Sequence, residues 1–329
     1  MLRRAFASLA VLVCAEGSLA SAPRWSWTLG TATPTGSPTA QLVTDLARDL
    51  EKATGARIRL RFDAVLGTEA YMTSLLRKGD LQMWAGSTGA LADHVPALTV
   101  LEAPYLFANV DTFARAMTPE VLARPALDGA FKAAQMWPFA SYFLGWRAMS
   151  SRSRPMLAPA DAQGVKVRAQ PAALHAAMWK RLGARPLALD LPAIGGALQA
   201  GLVDAVDLPP LFLLATGGHT VLRHHVRTEH MLQSVFVAFH RPTFDALPEA
   251  ARAAVRALQR KHAERVNARH EALEGELVAA LEPSMEVTLL TKEQRAAWRT
   301  ALAPLEEDAA RLGGPVGADL LKAVRARMR

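Results

Sequence analysis

The chain has 329 residues, 51% of them hydrophobic, which predicts a globular protein with large apolar cores and enough length for two domains. It carries 38 Lys and Arg against 30 Asp and Glu, a formal net charge of +8 that favours anionic ligands. The basic residues are mixed with acids and form no block interleaved with aromatics, so the sequence argues against nucleic-acid binding.

The first residues have the pattern of an export signal. Two arginines at positions 3 and 4 precede an apolar run, residues 5–14, and small residues at Ser18 and Ala20 form a cleavage site. We expect cleavage after Ala20, so that residues 1–20 are a signal peptide and the mature chain is periplasmic. The apolar run is too short to span a bilayer, and no other segment approaches about 20 uninterrupted apolar residues.

The single cysteine, Cys14, falls within this apolar run. The mature chain would therefore form no disulfide, and its stability would come from packing. A lipid-anchored form is disfavoured because Val13 precedes the cysteine where a small residue is needed.

The first part of the mature chain predicts alternating strands and helices. Ser37 and Pro38 are a cap and a first residue for a helix that ends before Gly55, and Gly79 ends the next helix. The predicted elements are a strand at 25–29, a helix at 37–53, a strand at 58–62, a helix at 69–77 and a strand at 81–85. This β-α-β-α-β order predicts a mostly parallel sheet with covering helices.

The rest of the chain predicts a second α/β unit that several crossings join to the first. The predicted elements are a crossing strand at 133–144, strands at 165–168, 186–189 and 203–206 with a helix at 172–182, a returning strand at 234–239, a long helix at 247–280, a strand at 286–290 and two terminal helices. No internal repeat or low-complexity linker separates the units. Several crossings, instead of one tether, predict a hinged clamshell that closes on a ligand.

One segment, residues 164–171, places a cation at the end of a short strand. Val165 and Val167 alternate with Lys166 and Arg168 before a proline turn. A guanidinium at a strand end that faces a crevice suits bidentate capture of a carboxylate. On the residues alone, the alternative is a surface arginine that solvates a strand edge.

Residues 164–171 read G-x-K-x-R-x-x-P, and residues 197–204 read A-L-Q-x-G-x-V-D. This order resembles the periplasmic solute-binding subunits of tripartite ATP-independent (TRAP) transporters, the DctP-type family. Further matching segments lie at 66–69, 86–89, 103–107 and 145–155. The resemblance covers essentially the whole mature chain.

The resemblance implies an α/β fold of two lobes, the periplasmic-binding-protein (Venus flytrap) clamshell, with a long lobe-bridging helix. We assign residues 23–147 and 238–279 to lobe I, and residues 148–237 and 280–329 to lobe II. The implied function is a receptor that closes on a small organic acid and delivers it to a TRAP membrane permease, without enzymatic activity or a cofactor.

The resemblance also implies which residues hold the ligand. Arg168 matches the family's principal carboxylate-binding arginine. Arg147 matches a second arginine that often assists, the alternative being a salt bridge that joins the lobes. Glu69 matches a glutamate at a helix start, where compensation of the helix dipole is the alternative role. Ser87 and Thr88 end a strand, where they would form the rim of the pocket.

The sequence departs from the family pattern in residues 203–209. Many relatives read V-D-G-Q-E-N-P where this chain reads V-D-A-V-D-L-P, so Leu208 replaces an amide that would orient a polar ligand. With the apolar Phe212 nearby, this change favours a carboxylate with an apolar body over a sugar acid. Asp207 could join a calcium ion that bridges the ligand in a few relatives, but one carboxylate is too few to define that site.

Other classes of function have weaker support in the residues. Four histidines, His219, His224, His225 and His230, could suggest a metal, but the adjacent pair points apart and no cysteine or close acid completes a site. Motifs of serine hydrolases, zinc proteases, P-loop proteins and dinucleotide-binding enzymes are absent from the sequence, so we expect no enzyme. The alternative to a receptor is a scaffolding subunit of the same fold that partners another periplasmic protein.

Overall fold

A computed structural model describes residues 25–328, and the predicted signal peptide lies outside the described residues. The described chain contains nine strands: β1 (Trp25–Thr31), β2 (Ala56–Arg61), β3 (Met83–Ser87), β4 (Met136–Ser151), β5 (Lys166–Ala169), β6 (Arg185–Ala188), β7 (Ala205–Leu208), β8 (His224–His240) and β9 (Glu286–Leu289).

Thirteen α-helices accompany these strands within residues 25–328: α1 (Pro38–Thr54), α2 (Glu69–Lys78), α3 (Thr88–Ala92), α4 (Val110–Ala116), α5 (Pro119–Leu122), α6 (Pro125–Ala133), α7 (Ala173–Arg181), α8 (Ile194–Gln199), α9 (Pro210–Ala215), α10 (Arg241–Asp245), α11 (Glu249–Ala279), α12 (Lys292–Leu302) and α13 (Leu305–Met328). Short 3₁₀ helices lie at Pro96–Glu102, Pro159–Ala162, Leu191–Ala193 and Gly218–Thr220. None of the described helices combines the length and the apolar character that a membrane crossing requires.

The described strands form one mixed sheet with two long antiparallel strands at its middle. The order is β2-β1-β3-β8-β4-β7-β5-β6, and β9 pairs with the first residues of β8. β1 is parallel to β2 and β3, and β5 is parallel to β6 and β7. Each outer trio belongs to one parallel α/β unit, and β4 and β8 run through both. The predicted β-α-β-α-β opening and the second α/β unit are confirmed.

Local signals set the ends of the first helices. The Ser37 side chain accepts a hydrogen bond from a backbone N–H of the first turn of α1 at 3.1 Å, and Pro38 begins the helix. Gly55 ends α1 in the left-handed conformation, with a φ of 70° that glycine adopts without strain. Thr68 caps α2 in the same way as Ser37 caps α1, and this cap places Glu69 as the first residue of α2.

The two central strands are longer than the sequence predicted. β4 has 16 residues, against a predicted strand at 133–144, and β8 has 17, against a predicted strand at 234–239. The first half of β8 carries polar side chains that are buried, among them His225, His230 and Gln233. Hydrophobic periodicity predicts a strand from the alternation of apolar and polar residues. It therefore does not detect a strand that buries polar side chains.

The long helix α11 is fastened to β4 where the pairing of that strand is irregular. The register between β4 and β8 shifts near Phe139 and again near Phe143. Gln259 donates to the carbonyl oxygen of Phe139 at 2.6 Å, and Asn267 accepts from the N–H of Phe143 at 2.8 Å. These side chains satisfy buried backbone groups that the sheet leaves unpaired. Because α11 also contacts α1, α4 and α9, it touches both α/β units.

Within the described part of the chain, the buried apolar residues form four clusters, two in each α/β unit. Trp27 and Phe113 belong to the two clusters beside β1 and β3, and Trp179 belongs to one of the clusters beside β5 and β7. Helix α13 connects the units, because Leu305 packs with the Trp179 cluster while Leu320 packs with the Phe113 cluster. The boundaries assigned to the two lobes from the sequence stay a prediction.

Candidate ligand-binding site

A cavity of about 50 Å³ lies where the carboxyl ends of the two parallel units meet the central strands. Its volume corresponds to the room of a few water molecules. Parallel strands end at the same edge of a sheet, which is where α/β proteins bind their ligands. Its polar and apolar lining includes Thr31, Thr33, Thr68, Glu69, Ser87, Arg147, Arg168, Gln170, Asp190, Leu191, Pro192, Leu208, Phe212, Gln233 and Val235.

Arg168 supplies a cation to this cavity from β5. The residue is only 3% exposed, and its Nε donates to the carbonyl oxygen of Leu189 at 2.9 Å. Its two terminal nitrogens bond no acceptor within residues 25–328. Burial, and then the nearby Arg147 cation, lower the pKa of Arg168 to about 10 against the opposing effect of nearby carboxylates. The side chain is therefore charged at neutral pH, with both terminal nitrogens available to an anion.

Arg147 also lines the cavity, but protein acceptors occupy its guanidinium. It pairs with the carboxylate of Asp207, with Nε–Oδ2 at 3.1 Å and Nη2–Oδ1 at 3.0 Å. Its Nη1 donates to the amide oxygens of Gln170 and Gln233. These contacts match the alternative role considered for Arg147, a salt bridge, which here joins β4 and β7. Direct binding of the ligand by Arg147 stays a prediction.

Asp207 is fully buried and is not among the residues that line the cavity. Besides Arg147, it faces His175 Nδ1 at 3.8 Å and His230 Nε2 at 3.6 Å. Burial by itself would raise the pKa of Asp207, but Arg147 and the two histidines hold it well below its usual range. The structure thus places Asp207 outside the cavity lining with its carboxylate engaged in holding Arg147, and a contact of Asp207 with the ligand stays a prediction.

Glu69 and Ser87 form a hydrogen-bonded pair at the edge of the cavity. Glu69 Oε1 accepts from the backbone N–H of Ser87 at 2.8 Å, and Oε2 accepts from the Ser87 hydroxyl at 2.7 Å. Gly86 permits this approach, because a Cβ at that position would lie 2.3 Å from Oε1. Burial raises the pKa of Glu69, although the Ser87 hydrogen bonds and Arg168 oppose the rise. The structure thus brings both predicted residues to the cavity.

Thr88, the neighbour of Ser87, is absent from the cavity lining among the described residues. It begins α3, is fully buried, and its hydroxyl bonds the Ser234 hydroxyl of β8. The chain changes from strand to helix at this junction, so the two side chains point in different directions. The expectation that both residues form the rim is therefore corrected for Thr88.

Leu208 and Phe212 form an apolar wall of the cavity. Leu208 is the last residue of β7, pairs with Ala148 of β4 and is 2% exposed. Phe212 lies in the short helix α9 that follows, and Leu191 of a 3₁₀ helix adds a further apolar group. Both residues predicted from the departure in this segment are therefore in the lining.

Besides Thr31, Thr33 and Thr68, three polar lining residues were missed in the sequence. Gln170 lies two positions after Arg168, so both share one face of an extended chain, and that spacing could have identified it. Gln233 reaches the cavity through the pairing of β8 with Gly145 of β4, and Asp190 reaches it from the connection after β6. Neither carries a local signal, because only the packing of distant segments brings it to the site.

The four histidines considered for a metal site bond to separate partners on different elements: Leu213 for His219, Glu286 for His224, Ser150 for His225 and Thr228 for His230. Within residues 25–328, no group of three or more His, Cys, Asp or Glu side chains is placed to hold a metal ion.

Comparison with known proteins relates this geometry to a family. Residues 29–311 match DctP, described as bacterial extracellular solute-binding protein, family 7. The 2,3-diketo-L-gulonate-binding periplasmic protein YiaO of Escherichia coli (strain K12) is 26% identical over 280 residues, which cover 84% of each chain.

Two solved structures have similar folds. A TRAP periplasmic solute-binding protein from Roseobacter denitrificans with bound β-D-glucuronate has a TM-score of 0.82 and 23% identity, over 92% of this chain and 99% of that chain. The periplasmic ectoine-binding protein of the TeaABC TRAP transporter from Halomonas elongata has a TM-score of 0.85 and 19% identity, with the same coverage. The predicted two-lobe α/β fold is confirmed. Because the family match spans residues 29–311, this chain belongs to the DctP family, the periplasmic solute-binding proteins of TRAP transporters.

Proposed function

We propose that this protein is the periplasmic receptor of a TRAP-type transporter. It binds a small organic acid, a carboxylate with an apolar body, between its lobes and delivers that acid to the membrane permease. The observation that carries the proposal is Arg168, a buried guanidinium at the cavity whose terminal nitrogens have no protein partner in the described chain.

The free nitrogens of Arg168 favour a carboxylate. A buried cation without a partner is unfavourable, and a carboxylate can accept from both terminal nitrogens at once. Arg147 does not compete for this role, because Asp207, Gln170 and Gln233 already accept from it. The names of two similar proteins are consistent with a carboxylate ligand, because the diketogulonate and glucuronate that they mention are both carboxylic acids.

The apolar wall of Leu208 and Phe212 favours an apolar ligand body. Leu208, Phe212 and Leu191 present no hydrogen-bonding side-chain group to the cavity. Apolar surface buried against them would gain about 25 cal/mol per Å² removed from water. A hydroxyl buried at the same place would lose its water partners, a penalty of about 1–3 kcal/mol.

The same proposal covers the domains, the location and the partner. Lobe I comprises residues 23–147 and 238–279, lobe II comprises residues 148–237 and 280–329, and β4 and β8 are the connections about which they close. Residues 1–20 direct export and are removed, so the receptor works in the periplasm. Its partner is the TRAP membrane permease, and it acts by binding and release without catalysing a reaction.

Calorimetry and thermal unfolding with a panel of carboxylates would test this function. A ligand at a hundredfold excess over its dissociation constant should stabilise the wild type by about 2.7 kcal/mol. Arg168→Ala should weaken binding by about a hundredfold while the fold is retained. Arg168→Lys should also bind poorly, because an ammonium lacks the planar fork. Arg185→Ala, at an exposed arginine of β6, is the control and should bind like the wild type.

Two results would contradict the proposal. Wild-type affinity in Arg168→Ala would remove that residue from the ligand site. A panel in which no carboxylate stabilises the wild type, together with no acid detected by mass spectrometry of the purified protein, would favour the scaffolding alternative.

A further inference from the structure

We propose that Asp190 is a second ligand anchor, and that the ligand is a carboxylate that also carries a cationic amine. The proposal rests on the proposed function, because it takes the carboxylate of that ligand to bind Arg168. It adds that the ligand carries a positive as well as a negative charge, and that Asp190 selects for the positive charge.

Asp190 is held beside Arg168 by the backbone of its neighbour Leu189. The Leu189 carbonyl accepts from Arg168 Nε at 2.9 Å, and the Leu189 N–H donates to the Ala169 carbonyl at 3.2 Å. Asp190 precedes the 3₁₀ helix Leu191–Ala193, but its side chain makes no capping hydrogen bond to that helix. Its carboxylate has no hydrogen bond or ion pair within the described chain, and the residue lines the cavity. A carboxylate without a protein partner therefore lines the same cavity as the free guanidinium nitrogens, and its charge acts on Arg168.

A ligand that carries only a negative charge would not neutralise the charged side chains around the cavity. Four of its lining residues are ionisable: Glu69, Arg147, Arg168 and Asp190. Arg147 is neutralised by its buried ion pair with Asp207. Among the described lining residues Arg168 is then the remaining cation, and the carboxyl groups of Glu69 and Asp190, one from each α/β unit, act on its charge.

The charge of Asp190 acts on Glu69. Burial is the main cause that raises the pKa of Glu69, and the charge of Asp190 adds to that rise. Glu69 is also satisfied by two hydrogen bonds from Ser87, whereas Asp190 has no such partner among the described residues. Asp190 is thus the carboxylate that requires a donor or a cation from the ligand.

A ligand with one carboxylate would satisfy Arg168 but leave Asp190 without a cation when the cavity closes. Burial of an unpaired charge is strongly unfavourable, whereas a paired and hydrogen-bonded charge is tolerated. An amino carboxylate pairs both, with its carboxylate on Arg168 and its ammonium on Asp190. The apolar part of the molecule then lies against Leu208 and Phe212. A hydroxyl could donate one hydrogen bond to Asp190 but would not neutralise its charge.

Matched sets of compounds with one carbon skeleton would test this inference by calorimetry. One set is L-valine, 3-methylbutanoate and 2-hydroxy-3-methylbutanoate, and a second set is 4-aminobutanoate and butanoate. EDTA in every sample removes metal ions as a source of bridging charge. In at least one set, the amine should bind the wild type about tenfold to hundredfold more tightly than its analogue without a donor.

Asp190→Asn should reduce this preference to about threefold or less while plain carboxylates still bind, because the substitution keeps shape and removes charge. Asp80→Asn, at an exposed aspartate outside the cavity, should keep the wild-type preference. Equal or weaker binding of the amines in both sets, or an unchanged preference in Asp190→Asn, would overturn the inference. If plain carboxylates bind and depend on Arg168, the receptor function stands even when this inference fails. If no compound of either set binds, this inference fails, and the receptor function is then decided by the wider carboxylate panel and by mass spectrometry of the purified protein.

Discussion

Asp207→Asn should destabilise the protein strongly although it changes few atoms. Asp207 is fully buried, and its two carboxylate oxygens lie 3.1 and 3.0 Å from Nε and Nη2 of Arg147. The substitution removes the negative charge while Arg147, itself 1% exposed, keeps its positive charge in the same place. His175 and His230 lose a charged neighbour as well.

The size of the effect follows from the burial of the pair. Removing one partner of a buried ion pair destabilises a protein by about 3–5 kcal/mol, since the other charge is left uncompensated. The asparagine oxygen can still accept one hydrogen bond, so we expect about 3 kcal/mol, the lower end of that range. The double variant Arg147→Met/Asp207→Leu should lose less than this, because neither charge then stays buried alone.

Urea unfolding at pH 7 measures this difference, with Asp80→Asn as the control for loss of an exposed carboxylate. The folded-state pKa of Asp207 lies well below its unfolded value. Its contribution is therefore fully present above the unfolded pKa of about 4, and it is lost as the pH falls through the lower folded pKa. A loss below about 1 kcal/mol at pH 7 would refute the claim that this ion pair stabilises the cavity wall.

Three further predictions concern specificity, pH and motion. Leu208→Asn should weaken binding of 3-phenylpropanoate about tenfold, because apolar contact with the ligand is lost. The control Leu202→Asn, at an exposed leucine, should bind it like the wild type. This role of Leu208 would be contradicted if calorimetry showed that the wild type binds hydroxylated sugar acids most tightly. Burial raises the pKa of Glu274 to about 7 against the opposing Trp146 N–H, so the folded state keeps a proton that the unfolded chain releases. Stability should then fall by about 2–3 kcal/mol between pH 5 and pH 8, and an equal fall in Glu274→Gln would exclude this source. Closure of the lobes should reduce the radius of gyration measured by X-ray scattering at saturating ligand; an unchanged curve would argue against the hinge or show a closed unliganded form.

The secondary structure was largely predictable because its signals are local. Ser37 and Gly55 mark the two ends of α1, and Thr68 and Gly79 mark the two ends of α2. Caps and positive-φ glycines act within one turn of the chain, so a single sequence records them. Local signals did not predict the first half of β8. Several of its buried residues are polar and are stabilised by hydrogen-bond partners, which hydrophobic periodicity does not report.

Part of the site was also predictable. Arg168 lies at a strand end before a proline turn, and the resemblance to the family marked the same residue. Leu208 was identified from its departure from the family pattern, and it lines the cavity. Ser87 and Thr88 could not be told apart in advance, because the direction of each side chain depends on where β3 ends and α3 begins.

By itself, the sequence determined the α/β class and the order of the strands, since these depend on residue type and local spacing, and the resemblance to the family added the cation of β5 and the apolar wall. Only the tertiary structure decided which arginine is free. Arg147 bonds Asp207 and Gln233 across separations of 60 and 86 residues, and these contacts exist only when β4 lies between β7 and β8. The availability of Arg168 and Asp190 is likewise a property of packing. A side chain is free only when the folded chain has brought it no partner, and no local pattern of residues records that.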